Sequence, residues 1–329
     1  MFAWGKKKVL VTGAGGFIGS HLTERLIELG AKTRAFVRYT SRADEGFIKY
    51  LSDDIRKNMD IVYGDIRELE TVVKAMDGVD IIFNLAALVG IPYSYIHPQE
   101  VIETNTIGTL NVLMAARDAG IDKLVQTSTS EVYGTARYVP INEEHPKQPQ
   151  SPYSASKIAA DAIALSFYHS FDLPVAVIRP FNTYGPRQSD RAVIPSIISQ
   201  TLTKDKLTLG NTTPTRDFTF VTDTAEGFIK MAESESVGME INIGSGQEIS
   251  IENLARKIIS LVGRDVAVEY DEERIRPENS EVERLCADNT KARKILGWVP
   301  KVSLTDGLEK TISFIKSNPG FYNPDKYRV

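Results

Sequence analysis

The segment from Val9 to Leu22, VLVTGAGGFIGSHL, restricts the fold more than any other part of the chain. An aliphatic, β-branched run stops at Thr12 and Gly13, and an amphipathic stretch, GSHLTERLIELGA, takes over. The pattern predicts a strand, a tight turn and a helix. Glycines at 13, 16 and 19 give each part of that turn a reason. Gly13 allows the sharp bend, Gly16 lets a pyrophosphate approach the backbone, and Gly19 lets the helix pack closely. Phe17 and Ile18 open the helix, where the first N–H groups have no partner within it and point at bound phosphate. A bare tight turn would need no ligand, but a strand before it and a helix after it point to a dinucleotide.

The alternation continues. KTRAFVR, MDIVYGD, VDIIFNLAA, KLVQTST and PVAVIRPF read as strands, and VIETNTIGTLNVLMAARDAG and PYSASKIAADAIALSFYHSF as long helices among them. That order predicts a parallel sheet covered on both faces, a doubly wound α/β domain with ligands at the strand C-termini. Past about residue 181 prolines and glycines break the pattern. MEINIGSG reads as a strand returning to the sheet, and SIENLARKIISLVG and TDGLEKTISFIKS as helices of a smaller α/β cap. The expected division is residues 1–181 with about 218–245 for dinucleotide binding, and about 182–217 with 246–329 for the cap. A chain of 329 residues has room for both. Its net charge of −4, with both signs interspersed, offers no basic face to nucleic acid. Cys286 is the only cysteine, so no disulfide closes within the chain and a reducing, cytoplasmic setting is expected. The apolar run after MFAWGKKK is too short to span a membrane. His21, His97, His145 and His169 lack the spacing of metal ligands, so no metal site is expected.

Tyr153 and Lys157 sit one helical turn apart on one face. An ammonium near a phenol favours the phenolate and lowers the tyrosine pKa. The pair would then take an alcohol proton while hydride leaves to a nicotinamide. Upstream, STSEVYG sets Thr129, Ser130 and Glu131 side by side at a strand end. Oxidation of a sugar at C4 makes its C5 proton acidic. A carboxylate such as Glu131 can remove that proton, and an adjacent acid can help the C6 hydroxyl leave as water. Hydride returned to C6 completes a 4-keto-6-deoxy sugar with no net redox change. A 4-epimerase needs no such carboxylate; the alternative, a solvated loop glutamate, is outweighed by the Tyr153-x-x-x-Lys157 pair that follows it. At the end of the second strand, Arg38 stands where an acid would accept ribose hydroxyls. Arginine suits a 2′-phosphate and hence NADP, or stacks on adenine and serves NAD equally.

TGAGGFIGSHL, STSEVYG, YSASK, RPFNTYGPRQ, TRDFTFV and RPENSEV together resemble the extended short-chain dehydrogenases/reductases, and among them the nucleotide-sugar 4,6-dehydratases. The resemblance covers nearly the whole chain and is closest to the N-acetylglucosamine dehydratases of legionaminic and related nonulosonic acid pathways. It implies a Rossmann domain with a nucleotide-sugar-binding cap, and tightly bound, recycled NAD, with NADP left open by Arg38. It implies that Thr129 bonds the reacting oxygen beside Tyr153. Asp65, followed by Ile66, would reach the adenine amino group, and Leu85, Ala86 and Ala87 would pass under the cofactor ribose and pyrophosphate. Arg216 and Arg276 would grip the substrate diphosphate, and Asn182 would reach the same phosphates or the sugar. Arg187 and Arg191 are further candidates, and Tyr93 and Tyr95 would line the sugar pocket. Several members carry aspartate before the glutamate; Ser130 departs from that, so either Ser130 or Glu131 could protonate the departing C6 oxygen. Helices at about 100–118 and 153–171 would pair two subunits through a four-helix bundle. The implied activity is a 4,6-dehydratase acting on UDP-GlcNAc, or on GDP-GlcNAc. The alternatives are a UDP-glucuronate decarboxylase, a C5-inverting relative that forms or uses a 5,6-ene, and a non-catalytic dinucleotide-binding protein.

Overall fold

A computed structural model describes residues 2–271 and 277–322. In chain order the first strands are β1 (Lys8–Thr12), β2 (Lys32–Arg38), β3 (Met59–Gly64), β4 (Ile81–Asn84), β5 (Lys123–Thr127) and β6 (Val175–Pro180). The later ones are β7 (Asn182–Tyr184), β8 (Lys206–Leu209), β9 (Thr215–Phe220), β10 (Glu240–Ile243), β11 (Glu248–Ser250) and β12 (Ala267–Tyr270). The first six and β10 form one seven-stranded sheet in the order β10-β6-β5-β4-β1-β2-β3. Every pairing in it is parallel. The order reverses between β1 and β4, which opens a crevice at their C-terminal ends.

Period-two alternation explains the layers. Val9 and Val11 point into one apolar cluster with Phe83, Val125 and Ile178, whereas Leu10 joins Ile82, Leu124 and Val177 in another. All residues of β4 and β6 are buried, as strands covered on both faces must be. The long helices are α1 (Phe17–Glu28), α2 (Gly108–Ala119), α3 (Pro152–Phe171), α4 (Val193–Thr203), α5 (Val221–Glu233), α6 (Ile251–Val262) and α7 (Leu304–Ser317). Leu22 and Leu26 of α1 and Phe228 of α5 pack on the first face; Val112 of α2 and Phe167 of α3 pack on the second. A third apolar cluster joins Ile197 of α4, Leu254 and Ile258 of α6 and Leu308 of α7 to Leu207 and Phe218. Beside it lie a three-stranded sheet, β11-β9-β7, and a two-stranded one, β12-β8. MEINIGSG returns to the main sheet as expected, with β10 paired to β6.

The helix read over residues 101–120 is interrupted. A short helix, Pro98–Ile102, runs into a π turn, Glu103–Ile107, before α2 begins. The wide turn lets Asn105 face inward, where its amide donates to the Leu88 carbonyl (3.0 Å) and Ser156 Oγ (2.9 Å) and accepts from the Leu88 N–H (2.8 Å). Asn105 thereby ties the loop after β4 to α3. No helix among the described residues is long and apolar enough to cross a membrane.

Candidate active site

The strand C-termini open into a cleft of about 860 Å³ lined by Gly13, Gly16, Glu131, Tyr153, Lys157 and Arg216, among others. Each wall follows from local chemistry.

The glycine turn is closed on itself. Gly13 has φ +68°, and a Cβ there would lie 2.9 Å from the Ala86 backbone. A Cβ on Gly16 would lie 3.1 Å from the Gly13 carbonyl oxygen, and one on Gly19 only 2.2 Å from it. Gly16 caps α1 without any side-chain hydrogen bond, so the N–H groups of Phe17, Ile18 and Gly19 face the cleft uncapped by a side chain. Thr12 ties the turn to the neighbouring strand: its hydroxyl donates to Asn84 Oδ1 (2.6 Å) and accepts from the Leu85 and Ala86 N–H groups (3.1 Å each). These residues fit a dinucleotide pyrophosphate, with Leu85, Ala86 and Ala87 along the same wall.

Arg38, at the end of β2, lines the cleft exposed and 3.8 Å from the carboxylates of Asp65 and Glu100. Asp65 is already engaged, bidentate with Arg67 at 2.7–3.1 Å, and Ile66 is buried against Gly108. Thr40 and Asp44, which motif reading passed over, also line the cleft.

Thr129 caps a short 3₁₀ turn, Ser130–Tyr133, its hydroxyl accepting from the Glu131 N–H (3.2 Å). The turn directs Glu131 into the cleft and buries Ser130 to 3% exposure. Opposite, Ser151 and Ser154 cap α3 reciprocally, each side chain accepting from the other's N–H at 3.0–3.1 Å, and Pro152 starts the first turn. The cap sets Tyr153 and Lys157 on consecutive turns, facing the strand ends. Thr129 hydrogen-bonds Tyr153, and Lys157 Nζ donates to the Thr127 carbonyl at 2.5 Å.

The expected lowering of the tyrosine pKa is not found in the protein alone. Burial pushes the Tyr153 phenol well above the usual range; the Thr129 hydrogen bond opposes this, and the charges of Glu131 and Asp161 add to it. Burial also draws Lys157 down to about 8, against the pull of Asp161. Desolvation is the larger influence on both groups, and the Lys157 ammonium is directed to the Thr127 carbonyl rather than to the phenol.

Of the residues expected to meet substrate, Asn182 and Arg191 line the cleft with Arg216, whose guanidinium pairs with Glu281 at 3.1 Å. Arg187 does not. Its backbone is left-handed (φ +67°), and the side chain turns to α1 to pair with Glu24 at 2.6 Å, beside His21 bonded to the Pro186 carbonyl (3.0 Å). Tyr93 and Tyr95 stand behind the wall, packed near Ile91 and Tyr153, with hydroxyls on Glu100 and Ser280 at 2.5 Å each. Arg276 lies outside the described residues. The buried pair Asp161 and Arg179 under the 3₁₀ turn was missed, although a charge inside the apolar run PVAVIRPF was a visible anomaly.

A glycine turn at a doubly wound switch point, facing a Tyr-x-x-x-Lys helix and an acidic turn, defines an extended short-chain dehydrogenase/reductase of the sugar-nucleotide type. The profile of the GDP-mannose 4,6-dehydratase family matches residues 10–311, and the chain belongs to that family. A UDP-glucose 4-epimerase of Mycolicibacterium smegmatis is 34% identical over 317 residues, covering 94% of this chain and 99% of the relative. UDP-glucuronic acid decarboxylase 1 of Xenopus tropicalis is 32% identical, covering 94% and 72% respectively. Among solved structures, DesIV, a dTDP-glucose 4,6-dehydratase from Streptomyces venezuelae with NAD and TYD bound, superposes with a TM-score of 0.87 at 29% identity, covering 97% of this chain and all of that one.

Proposed function

We propose that the chain is a nucleotide-sugar 4,6-dehydratase acting on a nucleotide-linked N-acetylhexosamine, UDP-GlcNAc before GDP-GlcNAc, in the manner of the nonulosonic acid enzymes. The observation that carries this reading is Glu131, a carboxylate in the same cleft as Thr129, Tyr153 and Lys157. Simple C4 oxidation and return, as in an epimerase, leaves that carboxylate without work. A nicotinamide dinucleotide held by the Gly13–Gly19 turn and Leu85–Ala87 would supply reversible hydride acceptance for C4 oxidation and C6 reduction. NAD is the favoured form, from the DesIV structure; NADP stays open through Arg38.

Tyr153 holds the proton of the C4 oxygen, and Thr129 fixes that oxygen beside it. The Lys157 ammonium favours the tyrosine phenolate. Glu131 takes the C5 proton, it or Ser130 supplies the proton with which the C6 hydroxyl leaves as water, and a solvent-exchanged proton returns to C5 when hydride reaches C6. Arg216 and Arg191, with Asn182, bind the diphosphate and sugar from the cap, residues 182–217 and 246–329. Two copies pair through the helices at 100–118 and 153–171, where Ile102, Ile107 and Phe171 are 45–50% exposed.

Decarboxylation of a UDP-uronate is the second reading, favoured by the Xenopus relative and by Arg191 as a partner for a C6 carboxylate. Incubation with UDP-GlcNAc, GDP-GlcNAc and UDP-glucuronate, followed by mass spectrometry, tests the proposal. Loss of water from an N-acetylhexosamine is expected; loss of carbon dioxide, or an unchanged mass throughout, contradicts it.

A further inference from the structure

Under the turn that carries Thr129 and Glu131 lies a buried polar cluster with no part in the chemistry above. Helix α3 presents Tyr153, Lys157 and Asp161 at four-residue steps, so the three share one face. Asp161 and Arg179, from β6, are both fully buried. Asp161 Oδ2 accepts from Ser128 Oγ (2.5 Å) and from Arg179 Nη2 (3.2 Å) and Nε (3.4 Å), while Oδ1 is buried without a partner. Arg179 Nη1 donates to the Tyr133 hydroxyl (3.0 Å), which donates to Asn242 Oδ1 (2.7 Å). Arg179 also pairs closely with Glu240, which Lys147 reaches at 2.7 Å from the outside. Ser128 and Tyr133 bracket the acidic turn, so one ion pair holds both of its ends.

Ion pairs taken wholly out of water contribute little net stability, and apolar side chains of similar volume commonly do as well. A reason beyond stability is therefore needed, and the location supplies it. We propose that Asp161 is a positioning residue whose carboxylate keeps the Lys157 ammonium charged inside the closed site and, through Ser128, sets the Thr129–Glu131 turn against Tyr153.

The inference rests on the Tyr153–Lys157 reading of the site. Asp161, one turn on along the same helix face, is the charge that acts on Lys157. Asp161 is itself shared with Arg179 and Ser128, the Glu131 charge acts on Tyr153, and the π turn meets α3 at Ser156 through the uncharged Asn105 and Thr106. Asp161 attracts the ammonium that burial has drawn down to about 8. Without that charge the lysine loses its proton at a lower pH still, and the phenolate loses its support.

Three variants test this. In protein with ¹³C-labelled lysine, the Lys157 signal is the one missing from Lys157→Met. Asp161→Asn keeps shape and the Ser128 contact but removes the charge, and should move the Lys157 titration down by about one pH unit. The alkaline limb of turnover should move with it. Ser128→Ala keeps the charge and frees the turn; it should leave the titration in place and lower kcat about tenfold or more with KM little changed. The titration needs no substrate, so its result stands whether or not the sugar assignment holds. An unmoved Lys157 titration in folded Asp161→Asn overturns the electrostatic role. An Asp161→Asn protein that fails to fold, beside a Ser128→Ala enzyme with wild-type kcat, shows that the pair serves the core alone.

Discussion

Glu131 and Tyr153 meet in the cleft from different elements, one on a 3₁₀ turn after β5 and one on the first turn of α3. Glu131→Gln keeps size and loses the base. Turnover should fall by about 10²–10⁴-fold, the usual cost of a positioned acid–base group, while reduced nicotinamide accumulates and absorbs in the near ultraviolet. Tyr153→Phe should show neither turnover nor that absorbance. Near-normal dehydration by Glu131→Gln would move the base to another residue. A second residue test concerns the cradle: Gly19→Ala drives a Cβ to 2.2 Å from the Gly13 carbonyl, so α1 must shift. Overpacking of that kind costs about 1–3 kcal/mol, and dinucleotide affinity measured by calorimetry should drop about tenfold or more. An alanine variant with unchanged affinity would show that the turn is looser than its contacts indicate. At this scale the sequence spoke where spacing repeats a chemical demand, as in the three glycines or Tyr153 and Lys157. It put Arg187 with the substrate candidates, because nothing local marks an arginine that turns away from the cleft to Glu24.

Among elements, α1 does two jobs. Its N-terminus faces the cleft, and its side holds the loop after β7 through His21 and through Glu24 with Arg187. Burial, with the Arg187 charge adding to it, holds His21 down to about 4 from an ordinary 6.5. The neutral ring is the folded form, so its stabilising effect is complete above 6.5 and is lost as pH falls from there to about 4. The loss should approach ~3 kcal/mol at the acid end of that window. Chemical denaturation from pH 7 to 4 should show this decline, and His21→Gln should flatten it; an equally steep decline in the variant would place its source elsewhere. Strand and helix periods made β1–β6, β10, α1 and α3 legible beforehand. The π turn at 103–107 was not, since its cause is the tertiary demand on Asn105 rather than any local preference.

For the whole molecule, the doubly wound sheet explains why motifs far apart in sequence converge: all parallel strands end on one edge, and the order reverses between β1 and β4. Half-exposed Ile102, Ile107 and Phe171 lie on the two helices proposed to pair copies. Light scattering at micromolar concentration should give twice 36.5 kDa; a monomer there would remove the four-helix bundle. The central claim is elimination across C5 and C6, and it is tested most directly by turning over UDP-GlcNAc in deuterated water and locating the label by NMR. The expected product is a 4-keto-6-deoxy sugar carrying solvent deuterium at C5. A product that keeps its C6 hydroxyl, differs only at C4 and carries no solvent label would contradict the dehydratase assignment.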